Sequence, residues 1–580
     1  MQLPKPFLFF VLATLHSIGF VDAAVLVDFQ VAQPPPVPKD AKQCTIEILR
    51  RDFAFSFGSA EVVQFEPPVD CGAIGSWAAI TLNFTVTSNG TQFDRLGIFT
   101  FQNVEIWRTS TPEPTRGDGI IWTYVKDVTR FTPLFAMPGL FILQLDNLIQ
   151  PGLDEIYSTV LHATFYASSH SNPPAKKADL IVPISNLRND TGNEVSVPPT
   201  FSLNVTLPRN AIQAFAELYA SGNGNEEFWV NSYKPSLELC PLTLPAGFLG
   251  QGPFREVRML VDGQVAGVAY PYATIFTGGI VPTAWRPITS YGALDLPTYF
   301  LDITPFIPIL VDGQPHNISL DVTSAEEDHT ILQNWFLSGS LQVFVDISSK
   351  PTTGKVTQYS ADPFSTTTTV GNVGDNGDIH VTVTALRKIH IESTIISGTG
   401  KENRVVWSQD LQYQNVQNIL NNTLIQNVFQ TSSGSVLSTH NGVPVIVDRF
   451  SYPLSIHFTE LDPTGNSFKS TFDHSYNRDL RPLPTVVRSR ISERQTATGF
   501  FFISPDGNTG NGTNSNTFSY SDQAGNTYSR VVEAALGNIT FDKQTGSLAP
   551  LPMPNQDHLQ PFTGFTGKVR LPGGRKLPGL

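Results

Sequence analysis

The sequence predicts an all-β fold: tandem jelly-roll-like β-sandwiches followed by a third β-rich domain. Three observations predict it. Apolar residues recur near period two in short runs, as half-buried strands require. Glycine and proline, 44 of each, punctuate those runs at short spacing, and no long stretch of helical period lies between them. No repeat of solenoid or propeller length is evident. At 580 residues the chain is also too long for one core, so several domains are expected.

The elements are justified in order along the chain. Lys5, an apolar run over 7–21 and Val21-Asp22-Ala23 read as a signal peptide removed after about Ala23. The run is shorter than the ~20 residues that span a bilayer, and residues 568–580 lack an anchor-type apolar tail. Residues 33–38, rich in proline, form an extended lead-in. Strands are expected at 80–86, 96–101, 104–107, 141–145 and 157–167, with Gln102-Asn103 as a turn. Asp262-Gly263, between apolar runs at 257–261 and 265–269, predicts a hairpin. Asp312-Gly313 repeats the device before 317–322, and 341–347 closes the unit. Residues 348–378, polar and without periodicity, read as a linker. A third β region then runs from 379 to about 542, with a loop at 506–516 and a loosely packed tail over 545–580. Prolines interrupt the strands at Asn172–Pro174 and Pro198–Pro199 and suggest boundaries. The expected division is a leader at 1–23, sandwiches at 24–190 and 191–350, and a β-rich region at 351–580, itself read as a sandwich.

Composition narrows the function. Charged residues are 15% of the chain, below the roughly 25% usual in soluble domains, and the net charge is −13. That acidity argues against nucleic-acid partners, which need clustered Lys and Arg. Of the three cysteines, Cys44 and Cys71 close the shorter loop and are expected to pair in an oxidising compartment, leaving Cys240 over. Eight Asn-x-Ser/Thr acceptors fit the secretory route: Asn83, Asn89, Asn189, Asn204, Asn317, Asn421, Asn511 and Asn538. Asn83 falls on the polar side of the 80–86 alternation, and Asn89 precedes Gly90 at a turn.

Two polar-aromatic blocks carry the candidate chemistry. In the first, 92–130, Phe93-Asp94-Arg95 enters a strand, and Pro112 and Pro114 restrict the backbone around Glu113. Read blandly, Asp94–Arg95 and Asp127–Arg130 are surface pairs and Glu113 a solvated loop acid. The second block, 252–306, holds Arg255, Glu256, Gly278-Gly279, Trp285-Arg286 and Asp295, preceded by Glu226-Glu227-Phe228-Trp229. Aromatic rings stack on the apolar face of a sugar while charged groups take its hydroxyls. Ordinary core packing is the competing account of Trp285 and Trp229. No nucleophile elbow, phosphate loop or metal-spaced His pair occurs, which leaves a cofactor-free acid/base hydrolase or a binding module.

The ordered strings FDR, RTSTPEPTR and KDVTR, then FREV, VDG, IFTGGI, WRP, DLP and DITPF, resemble the peptide N-glycanase A family over residues 53–347. A second likeness, to bacterial tandem jelly-roll glycopeptide amidases, falls on Asp94-Arg95 and Glu227-Phe228-Trp229. The resemblance implies a secreted or vacuolar amidase that cleaves between asparagine and the innermost N-acetylglucosamine of N-glycopeptides or glycoproteins, with no metal or organic cofactor. On that reading Asp94 lies nearest the chemistry and Glu227 or Glu256 is the carboxylate across the cleft. Arg95, Glu113, Arg255, Trp285 and Arg286 bind substrate. A non-catalytic carbohydrate-binding sandwich and a two-carboxylate glycoside hydrolase are the alternatives.

Overall fold

A computed structural model describes residues 25–115, 117–232, 249–375, 377–462, 464–504 and 507–550. The expected leader and Cys240 lie outside the described residues. Among the described residues helix is confined to short turns, and the sheets are antiparallel apart from one parallel strand pair, Leu26–Asp28 on Ile120–Asp127.

The first sandwich contains β1 (Leu26–Asp28), β2 (Gln43–Phe53), β3 (Glu61–Phe65), β4 (Ala79–Ser88), β5 (Leu96–Phe101), β6 (Val104–Ser110), β7 (Ile120–Asp127), β8 (Gly139–Leu145) and β9 (Tyr157–Tyr166). One sheet runs β1-β7-β4-β9-β2 and the other β3-β8-β5-β6. That alternation of eight strands between two sheets, with β1 added at an edge, is a jelly roll. Gln102 and Asn103 adopt φ of 50° and 64°, the left-handed pair that a tight β5–β6 turn needs. The core is aromatic: Phe99 stacks on Trp107 at 4.7 Å, and Phe84 meets Phe99 edge-on at 5.0 Å.

The second sandwich repeats the winding. It comprises β10 (Leu180–Ile184), β11 (Val195–Val197), β12 (Phe201–Val205), β13 (Ala211–Asn223), β14 (Glu256–Val261), β15 (Gln264–Ala269), β16 (Tyr299–Asp302), β17 (His316–Thr323) and β18 (Asn334–Val345). Its sheets are β10-β18-β13-β16, with β11 also on β18, and β12-β17-β14-β15. Asp262 and Gly263 form the expected two-residue hairpin with φ of 48° and 78°. Asp312-Gly313 does not, because β16 and β17 lie in opposite sheets. The change of sandwich also comes earlier than residue 190, since β10 already pairs with β18.

The sandwiches are locked face to edge. Every residue of β6 is buried, although β6 ends its sheet. Covering it are residues 293–296 of the long β15–β16 connection: Ser110 N–H donates to Ala293 O at 2.7 Å, Leu296 N–H to Arg108 O at 3.0 Å, and Trp107 Nε1 to Leu294 O at 3.0 Å. An edge so covered cannot recruit another strand. Arg108 forks onto Glu105 in the same strand and reaches Ser221 and Phe336 O of the second sandwich. Arg130, expected as half of a surface pair, instead makes a bidentate bond to buried Glu217 at 2.6 and 2.8 Å.

Beyond the second sandwich, eleven strands form one sheet, from Thr353–Ala361 to Asn538–Thr545. The expected third sandwich is absent from the described residues, because the apolar face of this sheet is covered by the second sandwich rather than by a sheet of its own. Trp407, Leu411, Val428, Ile456 and Phe472 share one continuous core with Phe254, Met259 and Leu301. The stretch read as a linker contributes strands Thr353–Ala361 and Thr366–Val373, both paired to Ile379–Ile396. They are largely exposed, so no apolar alternation marks them. The loop read at 506–516 is mostly strand Thr509–Asp522.

Cys44 and Cys71 form a disulfide with a Cα–Cα distance of 5.8 Å. All eight glycan-acceptor asparagines are exposed or half-exposed. Asn204 and Asn317 are register partners on β12 and β17.

Candidate active site

Three loops meet where the sandwiches join. The β4–β5 loop carries Asp94 and Arg95. Gln92 fixes it: its side-chain oxygen accepts from Phe93 N–H at 3.0 Å and Arg95 Nη2 at 2.6 Å, while its amide donates to Asn147 and Leu148. The Arg95 N–H donates to Thr111 Oγ1 at 2.8 Å, tying this loop to the Pro112–Pro114 stretch that holds Glu113. The third loop, residues 270–298 of the second sandwich, arrives through Thr277, whose hydroxyl donates to Thr111 O at 2.6 Å.

Gly278 is the point of closest approach. A Cβ placed there would lie 2.1 Å from Glu113 Oε1 and 2.7 Å from Asp94 Oδ1. Two carboxylates therefore crowd one glycine that has no side chain to separate them. Arg286, eight residues further along the same loop, sets Nη2 3.8 Å from Glu113 Oε2 and donates to Glu113 O at 3.2 Å. Glu227 comes from the short 3₁₀ turn Gly224–Asn231 that follows β13, and faces Asp94 and Arg95. A narrow cleft lined by Glu227, Phe228, Ile275, Phe276 and Gly279 runs beside it.

Burial, and at two of the three carboxyls the neighbouring Asp94, holds protons on this cluster. Burial pushes the Asp94 carboxyl up to about 6, against the opposing effects of backbone N–H bonds and the Arg95 charge. Burial, then the neighbouring Asp94, pushes Glu113 up to about 7, with Arg286 opposing. The same two causes push Glu227 up to about 8, against its backbone bond to Gly224 and the Arg95 charge. Near neutrality the site thus holds carboxylate and carboxylic acid side by side, as paired base and acid chemistry requires. Among the described residues no group of three His, Cys, Asp or Glu side chains is arranged to hold a metal ion.

Of the residues singled out in the sequence, Asp94, Arg95, Glu113, Glu227 and Arg286 are brought together. Glu256, Arg255 and Trp285 are not. Glu256, at the start of β14, is buried against the C-terminal sheet, where it accepts from the Ser365 hydroxyl and N–H and lies 3.5 Å from Arg387. Arg255 is buried in a bidentate bond to Glu226 and donates to three backbone carbonyls, so it has no face for a sugar. Trp285 is 1% exposed; its indole donates to Gly279 O at 2.9 Å and packs on Phe472 at 4.8 Å. Trp229 is likewise core, 3% exposed.

One participant escaped the sequence reading, and another was noted there without its role. Gly278 stood in a noted motif, but nothing in the sequence marks the carboxylates that close on it. Asp28 on β1 is 1% exposed, and burial pushes its carboxyl up to about 8, with Arg286 opposing. It lies far upstream of either block, and a three-residue strand gives no period to read.

Tandem jelly rolls that gather three proton-holding carboxylates and two arginines at their junction define a class of protein with a composite acid/base cleft. The chain belongs to the peptide N-acetyl-beta-D-glucosaminyl asparaginase amidase A family: residues 33–362 match that family and residues 380–454 match the C-terminal domain of PNGase A. It is 37% identical over 359 residues to the peptide-N4-(N-acetyl-beta-glucosaminyl)asparagine amidase A of Prunus dulcis. The alignment covers 59% of this chain and 61% of the almond protein, so the chain spans about three fifths of that relative's length.

Proposed function

We propose that the protein is an N-glycopeptide amidase, hydrolysing the amide that joins asparagine to the innermost N-acetylglucosamine. The observation that carries the reading is the convergence of Asp94, Glu113 and Glu227 around Gly278, in a chain of this family. Asp94, lowest of the three, ionises first and takes a proton from water attacking the amide carbon. Its partner across the junction, Glu227, holds its proton near neutrality and delivers it to the departing nitrogen. Arg95, whose buried Nε has no hydrogen-bond partner among the described residues, is placed to donate to the developing oxyanion. The water oxygen enters a new aspartyl carboxylate, and the sugar leaves as a glycosylamine, which later loses ammonia. Glu113 and Arg286 form the wall that binds the innermost sugar. The Cys44–Cys71 bridge and the accessibility of the acceptor asparagines support passage through an oxidising secretory compartment.

The test is incubation with a defined N-glycopeptide in ¹⁸O-water, read by mass spectrometry. Conversion of asparagine to ¹⁸O-labelled aspartate with release of the whole glycan is the expected result. Retention of one N-acetylglucosamine on the peptide would replace the reading with endoglycosidase action, and unchanged substrate with binding of strippable glycan would replace it with a lectin.

A further inference from the structure

The loop that brings Gly278 and Arg286 to the carboxylates is supported from behind by the C-terminal sheet. Asn514 Nδ2 donates to Ala284 O at 2.8 Å and Ile288 O at 3.2 Å. Gln495 brackets the next residues, donating to Thr289 O and accepting from Tyr291 N–H, both at 3.0 Å, and it also bonds Asn514 Oδ1 at 3.1 Å. Thr283 Oγ1 donates to Phe500 O at 3.0 Å, and Trp285 packs on Phe472. Three glycines let the loop in. A Cβ at Gly499 would lie 2.3 Å from Val281, at Gly510 2.9 Å from Thr283, and at Gly512 2.1 Å from Thr283 O. On its other side the same segment pairs with Phe29. The strands Ser467–Arg481, Ser489–Phe502 and Thr509–Asp522 that do this lie beyond residues 33–362 and 380–454, the stretches matched to the family and its C-terminal domain.

We infer that the distal strands of the C-terminal sheet are a working part of the site, with Asn514 and Gln495 acting as positioning residues that hold Arg286 against Glu113. All four backbone groups they satisfy flank Arg286, and every one is an otherwise buried donor or acceptor whose loss of a partner would let the segment shift. Arg286 is the cation that opposes the upward push on Glu113, so its withdrawal would leave Glu113 facing Asp94 alone. The other groups nearby are Asp28, which faces Arg286 from β1, and Glu227, which faces Asp94. The inference rests on the amidase reading only for its effect on turnover; the effect on Glu113 stands apart from it.

The experiment uses full-length protein labelled with ¹³C at glutamate carboxyls, with Glu113 identified as the resonance missing from Glu113→Gln. In Asn514→Ala and Gln495→Ala the Glu113 titration midpoint should move upward, and kcat on N-glycopeptide should fall on the order of ten- to a hundredfold. Thr283→Val, which exchanges the hydroxyl that bonds Phe500 O for a methyl group, is the milder variant should either of these fail to fold, and it should show the same directions. A raised Glu113 midpoint in a protein without amidase activity would keep the positioning role and discard the amidase reading. A lowered Tm with the Glu113 midpoint unmoved would overturn the inference and reduce these contacts to packing.

Discussion

Asp94, Glu113 and Glu227 illustrate how position rather than residue type sets a carboxyl's hold on its proton. Each sits beside an arginine, yet burial outweighs that charge, and at Glu113 and Glu227 the nearby Asp94 adds to the upward push. Asp94→Asn keeps the shape and removes the lowest member of the cluster. It is expected to lower kcat by about 10²–10⁴ with little change in KM, measured on a defined glycopeptide. Glu227→Gln also carries a stability signature. The folded protein holds the Glu227 proton up to about pH 8, whereas the free side chain releases it near 4.5. Between those values the folded state binds more protons than the unfolded state, so stability is full below pH 4.5 and falls as pH rises toward 8. Glutamine does not ionise and removes that fall. The variant should be more stable to urea than wild type by roughly 2–4 kcal/mol at pH 8 and nearly equal to it at pH 4.5; a half-buried group gives less than its full shift. Equal pH slopes for the two proteins would argue against a proton held at Glu227.

At the scale of the element, the 270–298 connection does what a strand could not. It is pinned to β6 by Ala293, Leu294 and Leu296, to the C-terminal sheet by Thr283 and Trp285, and to the Glu113 stretch by Thr277. Gly278 lacks positive φ, so alanine fits the backbone there and only its Cβ is in the way. Gly278→Ala should therefore leave Tm nearly unchanged while reducing activity at least a hundredfold, by pressing Glu113 and Asp94 apart. Matching wild-type turnover would show that the two carboxylates need not close on this glycine. The disulfide element is separable from the site. Replacing Cys44 and Cys71 together by alanine opens a bridge of sequence separation 27 and should cost about 3 kcal/mol of stability, seen as a lower urea midpoint, with kcat preserved in the folded fraction.

Over the whole molecule, the continuous core across the second sandwich and the C-terminal sheet makes the two inseparable. Leu301, Met259 and Phe254 are buried against Trp407, Leu411 and Tyr413. A chain ending at residue 350 would expose that face of the second sandwich to water, at about 25 cal/mol for each Å² uncovered. It is expected to be insoluble or molten, with poorly dispersed NMR signals, whereas a cooperative unfolding transition in that fragment would show the sheet to be dispensable.

The sequence by itself determined what depends on neighbours along the chain. Period-two alternation marked β4, β5, β8 and β9, Gln102-Asn103 marked the β5–β6 turn and Asp262-Gly263 the β14–β15 turn, because pleat and left-handed φ are local properties. Ordered motifs placed Asp94, Arg95, Glu113, Glu227 and Arg286 among the candidates. Only the tertiary structure decided which candidates meet. Arg255, Glu256 and Trp285 read the same as Arg95, Glu227 and Arg286 in composition, yet packing against Glu226, Ser365 and Phe472 turned them inward. It also decided that the last eleven strands form one sheet, since an apolar face does not say in sequence whether its own strands or another domain will cover it. Long-range burial, not local pattern, separates the charged pairs that hold this molecule together from those that face its cleft.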